Sequence, residues 1–315
     1  MYAEKVSPTN IFTRFWIYQA ERFPVFGHGL LIAAFSFSAV SFSMLLRGSV
    51  EWPALGSVLV SFISAFLFFL QLRLADEFKD AAEDARYRPY RPVPRGLVTL
   101  TELGRLGLLS MLLQLGLALW LEPALVPLLL LAWGYLALMS KEFFVRSWLK
   151  AHPLTYMWTH MVIVPLIDFY TTACDWRVAG QATPPNGLVW FLVASFFNGI
   201  VIEIGRKIRA PQDEEVGVET YTALWGLPRA VLAWLGALGL TTLSALLAAR
   251  EIGFALPVAG LLAAFLILAT VNAVYFLHTP VTRRAKQIET MSGLWTILMY
   301  LSVGAIPLFW HIILA

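Results

Sequence analysis

The 315-residue chain has one cysteine, Cys174, so no disulfide can form within it, and its five histidines are not clustered. A zinc or iron–sulfur site built on thiolates and imidazoles is excluded, which leaves carboxylates as the only basis for metal chemistry. Charged residues are also scarce, at 14% against 59% hydrophobic, and the mean hydropathy of +0.71 is incompatible with a soluble globular surface. No low-complexity stretch or linker divides the chain, so residues 1–315 read as a single integral membrane domain. The opening segment, MYAEKVSPTNIFTRFWIYQAERFP, has no uninterrupted apolar core behind basic residues and no small-residue cleavage site. It reads as an amphipathic cytoplasmic lead-in, and the lack of a targeting segment fits a bacterial or archaeal inner membrane.

Apolar stretches near the length needed to cross a bilayer run at 24–46, 54–75, 105–121, 123–140, 154–173, 186–204, 228–249, 254–277 and 291–314. This pattern predicts an all-α, polytopic helical bundle of about nine transmembrane helices. The third and fourth are separated only by Leu121, Glu122 and Pro123, where Glu-Pro provides a stop and restart. Eight spans are the alternative. Of the 23 lysines and arginines, only Arg47, Arg177 and Arg250 fall in the loops on one side, and Arg73 lies within a span. The rest, from Lys5 to Lys286, fall on the other side, which by the positive-inside rule places the N-terminus in the cytoplasm and the C-terminus outside.

Two inner loops carry nine of the 20 acids. The first, at 73–96, reads RLADEFKDAAEDARYRPYRPVPRG, with Asp76, Asp80 and Asp84 four residues apart and hence along one helix face. Three like charges in a row oppose helix formation, and a divalent cation would relieve them. Mg²⁺ suits because it binds one or two carboxylates and fills its other positions with water and phosphate oxygens. Arg86, Arg88, Arg91 and Arg95 follow, interleaved with prolines that are expected to hold the run extended, and planar guanidiniums grip phosphate through paired hydrogen bonds. The second loop, at 203–217, contains Glu203, Arg206, Lys207, Arg209, Asp213, Glu214 and Glu215, with Asp213 the stronger ligand candidate. Glu203 and Lys207, one helical turn apart, could equally form a local ion pair. The alternative for both loops is a solvated surface whose mixed charges pair with one another.

These residues resemble the UbiA-type intramembrane prenyltransferase superfamily over essentially the whole length: nine spans, acidic loops after the second and sixth, and RPVPRG closing the first. The resemblance implies two acidic motifs holding Mg²⁺ against a prenyl diphosphate, and an isoprenoid tail lying in the bundle. The prenyl group would pass to an aromatic, quinone-precursor, lipid or haem acceptor. The implied ligands are Asp76, Asp80 and Asp84 with Asp213 and Glu214. Arg88, Arg91 and Arg95 are implied phosphate contacts, and Tyr135 and Lys141 in GYLALMSKEF resemble the family's Tyr and Lys at the inner end of span four. Two positions depart from the family pattern. Arg73 stands where an Asn usually opens the first motif, and Arg209 stands where the second usually has a further Asp, so Arg73, Arg206, Lys207 and Arg209 become candidates to neutralise diphosphate directly. The chain is therefore identified as a diverged member, whose acceptor cannot be carried over.

Ionisation of an allylic diphosphate leaves a carbocation, which aromatic faces can shelter. Tyr156, Trp158, Tyr170, Phe196 and Phe197 are candidate cavity residues, alongside the polar His160, Asp168 and Asn198. Asp168 could act as a base or orient a hydroxyl, or lie at the outer interface beside Asp175 and Arg177. Capture by a second molecule is prenyl transfer, whereas capture by the cation's own tail is terpene cyclisation. A transporter ranks below both, because its ionisable groups would be expected at the bilayer midplane in broken helices. The expected surroundings are membrane lipid, with no nucleic-acid partner.

Overall fold

The computed structural model describes residues 10–314, and Lys5 of the orientation count lies outside them. The amphipathic α1 (Ile11–Arg22) precedes α2 (Val25–Leu46) and α3 (Leu55–Lys79), and α3 runs into the short α4 (Ala81–Tyr87). Next come α5 (Leu100–Leu121), α6 (Val126–Ser140), α7 (Arg146–Ala151), α8 (Pro153–Met161), α9 (Ile163–Trp176) and α10 (Leu188–Gly205). The chain ends with α11 (Tyr221–Trp225), α12 (Leu227–Glu251), α13 (Ala255–His278), α14 (Thr282–Val303) and α15 (Ala305–Leu314). The described residues contain no strand.

Among the described residues, eight helices are long and apolar enough to cross a membrane, counting α14 and α15 as one rod, Thr282–Leu314. The expected fifth span is present as α8 and α9, which are separated at Val162. Both interrupted rods share a cause. Pro165 and Pro307 have no N–H to offer the carbonyls of Met161 and Val303 four residues back, and their rings crowd those carbonyls, so each helix ends there and restarts. The Glu122 break between α5 and α6 is where Glu-Pro predicts it, and the Glu122 side chain caps the restart by accepting from the Ala124 N–H at 3.1 Å.

Among the spanning helices α2 and α10 are the most enclosed, whereas α5, α6 and α13 have few buried residues, as lipid-facing helices do. On α2, Ser36, Ser38, Ser41 and Ser43 are all buried, and small side chains let neighbours approach closely. One such close approach to α2 is at Gly304, where an added Cβ would lie 2.2 Å from the Ser38 carbonyl oxygen. Gln71 joins α3 to α5 by donating to Ser110 and Gln114, both at 2.8 Å, and Trp133 of α6 donates to Gln114 at 2.9 Å.

The two ends of the bundle differ in charge. One carries a single buried latch, Arg47 on Asp175 at 2.7 Å, with Ser43 donating to the same carboxylate at 2.6 Å. The other gathers the basic and acidic loops. There α1 lies across the entrance to α3, with Tyr18 buried among Leu74, Leu97, Val98 and Leu103 while Phe12 and Trp16 face outward. Arg14 bonds Glu102 at 2.6 Å, Arg22 bonds Glu77 at 2.5 Å, and Glu21 accepts from Arg95 at 2.7 Å. Thus α1 is fastened to the helix that carries Asp76.

Candidate active site

Asp76, Asp80 and Asp84 sit on successive turns. Although Asp80 separates α3 from α4, the helical hydrogen bonds continue through it, from Asp80 N–H to the Asp76 carbonyl and from Asp84 N–H to the Asp80 carbonyl. The three carboxylates have different surroundings. Asp76 has Lys79 Nζ at 3.3 Å and Arg73 Nη1 at 3.6 Å. Asp84 is buried and clamped by Arg91 at 2.6 Å and Arg88 at 3.5 Å. Asp80 makes no ion pair among the described residues. Burial foremost, and then the charges of Asp76, Asp84 and Glu83, raise its carboxyl above the usual range against the pull of Lys79.

The prolines do not hold the arginine run extended, contrary to the sequence expectation. Residues 88–98 form a chain of turns, closed by bonds such as Arg91 N–H to the Arg88 carbonyl and Leu97 N–H to the Pro92 carbonyl. The cause is charge: Arg88 and Arg91 fold back onto Asp84, and Arg95 bonds both Glu21 and the Tyr90 carbonyl.

From the opposite side, the C-terminal end of α10 contributes a second charged set. Glu203 is buried between Arg206 at 2.5 Å and Lys207 at 2.8 Å, which is the local ion pair its spacing suggested. The Arg206 guanidinium is held more firmly protonated than usual, by Glu203 foremost and also by Asp76, so the ends of α10 and α3 share one electrostatic site. The two loops also touch directly. Gly217, at φ +79°, lies so close to Tyr87 that an added Cβ would stand 2.6 Å from its ring, and Tyr90 donates to Glu215 at 3.5 Å. Lys79 completes this mouth by donating to the Tyr156 hydroxyl at 3.0 Å, with Tyr156 stacked on His160 at 3.9 Å between ring centroids.

No protein-family profile matches the sequence, and no curated protein matches it. Among solved structures, the chain is similar to the apo form of a UbiA homologue from Aeropyrum pernix K1, with a TM-score of 0.66 at 14% identity over 88% of this chain and 96% of that one. The fold is that of the UbiA homologues. A digeranylgeranylglyceryl phosphate synthase aligns with a TM-score of 0.54 and 16% identity, covering 93% of this chain and 99% of the other. A UbiA homologue from Archaeoglobus fulgidus bound to DMAPP and Mg²⁺ aligns at 0.52 and 12%, covering 88% and 98%. At such identities the likeness establishes architecture, and the chemistry must be argued from this chain's own residues.

Within this UbiA fold the expected site residues divide into groups. Arg73, Asp76, Asp80, Arg206, Lys207, Tyr156 and His160 gather around the mouth. Asp213 and Glu214 line a separate cleft of about 370 Å³ with Arg209, Thr282, Lys286 and Glu289. There Asp213 accepts from Thr282 at 2.9 Å, and Glu214 accepts from Thr220 at 2.7 Å and Thr222 at 2.6 Å. Tyr135 donates to the Thr159 carbonyl at 2.6 Å and so ties α6 to α8, while Lys141 is exposed. Trp158 packs edge-on against Phe196 at 5.3 Å but is 49% exposed, so this pair faces outward. Asn198 accepts from Thr296 at 3.2 Å. Asp168 lies fully buried inside the bundle, accepting from the Tyr300 hydroxyl at 2.8 Å. Two residues at the mouth escaped the sequence reading: Lys79, hidden inside the aspartate stripe, and Glu142, discussed below.

Proposed function

We propose that this chain is a Mg²⁺-dependent intramembrane prenyltransferase, working from the cytoplasmic face on an allylic prenyl diphosphate and passing the prenyl group to an aromatic, quinone-precursor or lipid acceptor. The observation that carries this reading is the meeting of the Asp76–Asp80 end of α3 with the Glu203–Arg206–Lys207 end of α10 at one mouth of a UbiA fold. One solved structure of that fold is described as bound to DMAPP and Mg²⁺.

The donor set fits the metal. Asp80 is an uncompensated carboxylate next to Asp76, and no group of three or more His, Cys, Asp or Glu able to hold an ion occurs among the described residues. Two carboxylates, with the remaining positions left to water and phosphate oxygens, match the habit of Mg²⁺. Asp76 and Asp80 would hold the ion, which would supply positive charge against the diphosphate. Arg73, Lys79, Arg206 and Lys207 surround the same spot and stabilise the charge that develops on the leaving diphosphate. In this reading Asp84 braces Arg88 and Arg91, and Asp213 and Glu214 bear on the neighbouring cleft.

Purified protein supplied with C10, C15 and C20 allylic diphosphates and Mg²⁺ is expected to release pyrophosphate only when a lipid and quinone extract supplies the acceptor. Mass spectrometry of the organic phase would then identify the prenylated product. Release without extract, with a hydrocarbon or terpene alcohol formed, would mark a cyclase, and neither release nor binding would remove the catalytic reading.

The proposed orientation has its own test. Cys174 is buried, so a cysteine introduced at the surface provides the reactive thiol. In sealed vesicles with the outer face exposed, an impermeant maleimide should label Glu122→Cys and spare Glu219→Cys; the reverse pattern would invert the topology.

A further inference from the structure

Between α6 and α7 the backbone adopts a conformation that the sequence gives no sign of. Glu142, Phe143 and Phe144 all have φ in the left-handed region, at 48°, 52° and 61°, in the stretch SKEFF, which contains neither glycine nor asparagine. That conformation is costly at every residue with a Cβ, and runs of it persist where the surroundings over-determine them, often at functional sites. What the turn achieves is the placement of Glu142. Its carboxylate is buried at 3% exposure, with Oε1 accepting from the Tyr156 hydroxyl at 3.4 Å and Oε2 lying 3.4 Å from Arg146 Nε. Phe143 stands edge-on to the rings of Tyr135 at 5.6 Å and His160 at 6.0 Å, so the turn also backs the His160 ring on which Tyr156 is stacked.

Hydrogen-bond accounting gives this arrangement a direction. An ionised carboxylate only accepts, so the single proton of Tyr156 goes to Glu142 and the Tyr156 oxygen is left to accept from Lys79. An ammonium has three donors. One bonds Tyr156 at 3.0 Å, the charge is paired with Asp76 Oδ1 at 3.3 Å, and Lys79 makes no further hydrogen bond or ion pair among the described residues. We propose that Glu142 is a positioning residue which, through Tyr156, aims the third N–H of Lys79 at the diphosphate, an inference that rests on the mouth being the diphosphate site proposed above. Without Glu142, the Tyr156 hydroxyl is free to turn its proton elsewhere, and Lys79 loses its fixed acceptor.

The test is steady-state pyrophosphate release by the full-length protein for wild type, Glu142→Ala, Glu142→Gln, Lys79→Met and the Glu142→Ala/Lys79→Met double variant. Loss of one charge-assisted hydrogen bond that strengthens as leaving-group charge develops should lower kcat about 10- to 100-fold in Glu142→Ala, with little change in KM for the prenyl diphosphate. Glu142→Gln keeps an acceptor for Tyr156 and should recover most of the rate. The double variant should be no slower than Lys79→Met alone, because the effect of Glu142 passes through Lys79. A full multiplicative loss in the Lys79→Met background, or wild-type kinetics in Glu142→Ala, would overturn the proposal. Should Glu142→Ala fail to fold, Tyr156→Phe breaks the same link while keeping the buried acid, and is held to the same non-additivity. A wild-type protein that releases no pyrophosphate from any allylic diphosphate defeats the reading of the mouth itself, which separates the two failures.

Discussion

Asp76→Ala and Asp80→Ala are each expected to lower turnover by about 10²–10³-fold while leaving the melting transition of the purified protein nearly unchanged. Both residues sit at the C-terminal end of α3, where the helical hydrogen bonds run on without their side chains. Removing Asp80 relieves repulsion from Asp76, Asp84 and Glu83 at the loss of its attraction to Lys79, so the fold changes by no more than about 0.5 kcal/mol, the usual scale for charges one turn apart. Removing Asp76 frees Lys79 and Arg73, both of which retain solvent access. Asp84→Ala should behave differently. Its carboxylate is buried under Arg88 and Arg91, so its loss should undo the turns of residues 88–98 and lower the melting temperature along with the activity. Turnover and thermal unfolding measured on the same three preparations distinguish a ligand from a brace. Near-normal turnover in Asp76→Ala or Asp80→Ala would remove the metal reading.

Arg22→Ala should produce the largest loss of stability. Glu77 is 1% exposed, and Arg22 bonds it at 2.5 Å. Leaving that carboxylate buried without its cation costs about 3–5 kcal/mol. Replacing both partners, as Arg22→Met with Glu77→Met, removes the stranded charge, and such apolar pairs are often neutral or stabilising. The single variant should therefore melt well below wild type and the double variant close to it, by thermal unfolding in one detergent. Equal losses in both would mean that the ion pair itself, not the stranding of Glu77, holds α1 in place.

How much of this was legible in the sequence depended on whether the deciding force was local. The basic loops and the apolar lengths are properties of composition, and they led directly to a polytopic helical bundle. The Glu122–Pro123 break was legible because its cap and its proline are adjacent. The breaks at Val162 and Gly304 also had a local signal, since Pro165 and Pro307 each stand four residues after the last carbonyl, but both lie inside apolar runs that read as continuous. The register of Asp76, Asp80 and Asp84 followed from the helical repeat, whereas their differing surroundings depended on partners brought in by folding. The arginines looked extended because prolines dominate local backbone preference, and the burial of Asp84 overrode that preference. Glu142 left no trace at all: its left-handed turn is imposed by Tyr135, His160 and Tyr156 from other helices, not by SKEFF itself.

The uneven burial of the ion pairs also bears on ionic strength. At the charged mouth, Arg95–Glu21 is exposed at 35% and 40%, and Arg146–Glu83 at 50% and 44%, so dissolved salt screens both readily. The Arg47–Asp175 latch, at 16% and 8%, is largely shielded from dissolved ions. The readily screened pairs thus lie at the end that carries the charged mouth, beside shielded pairs such as Arg22–Glu77 and Arg91–Asp84.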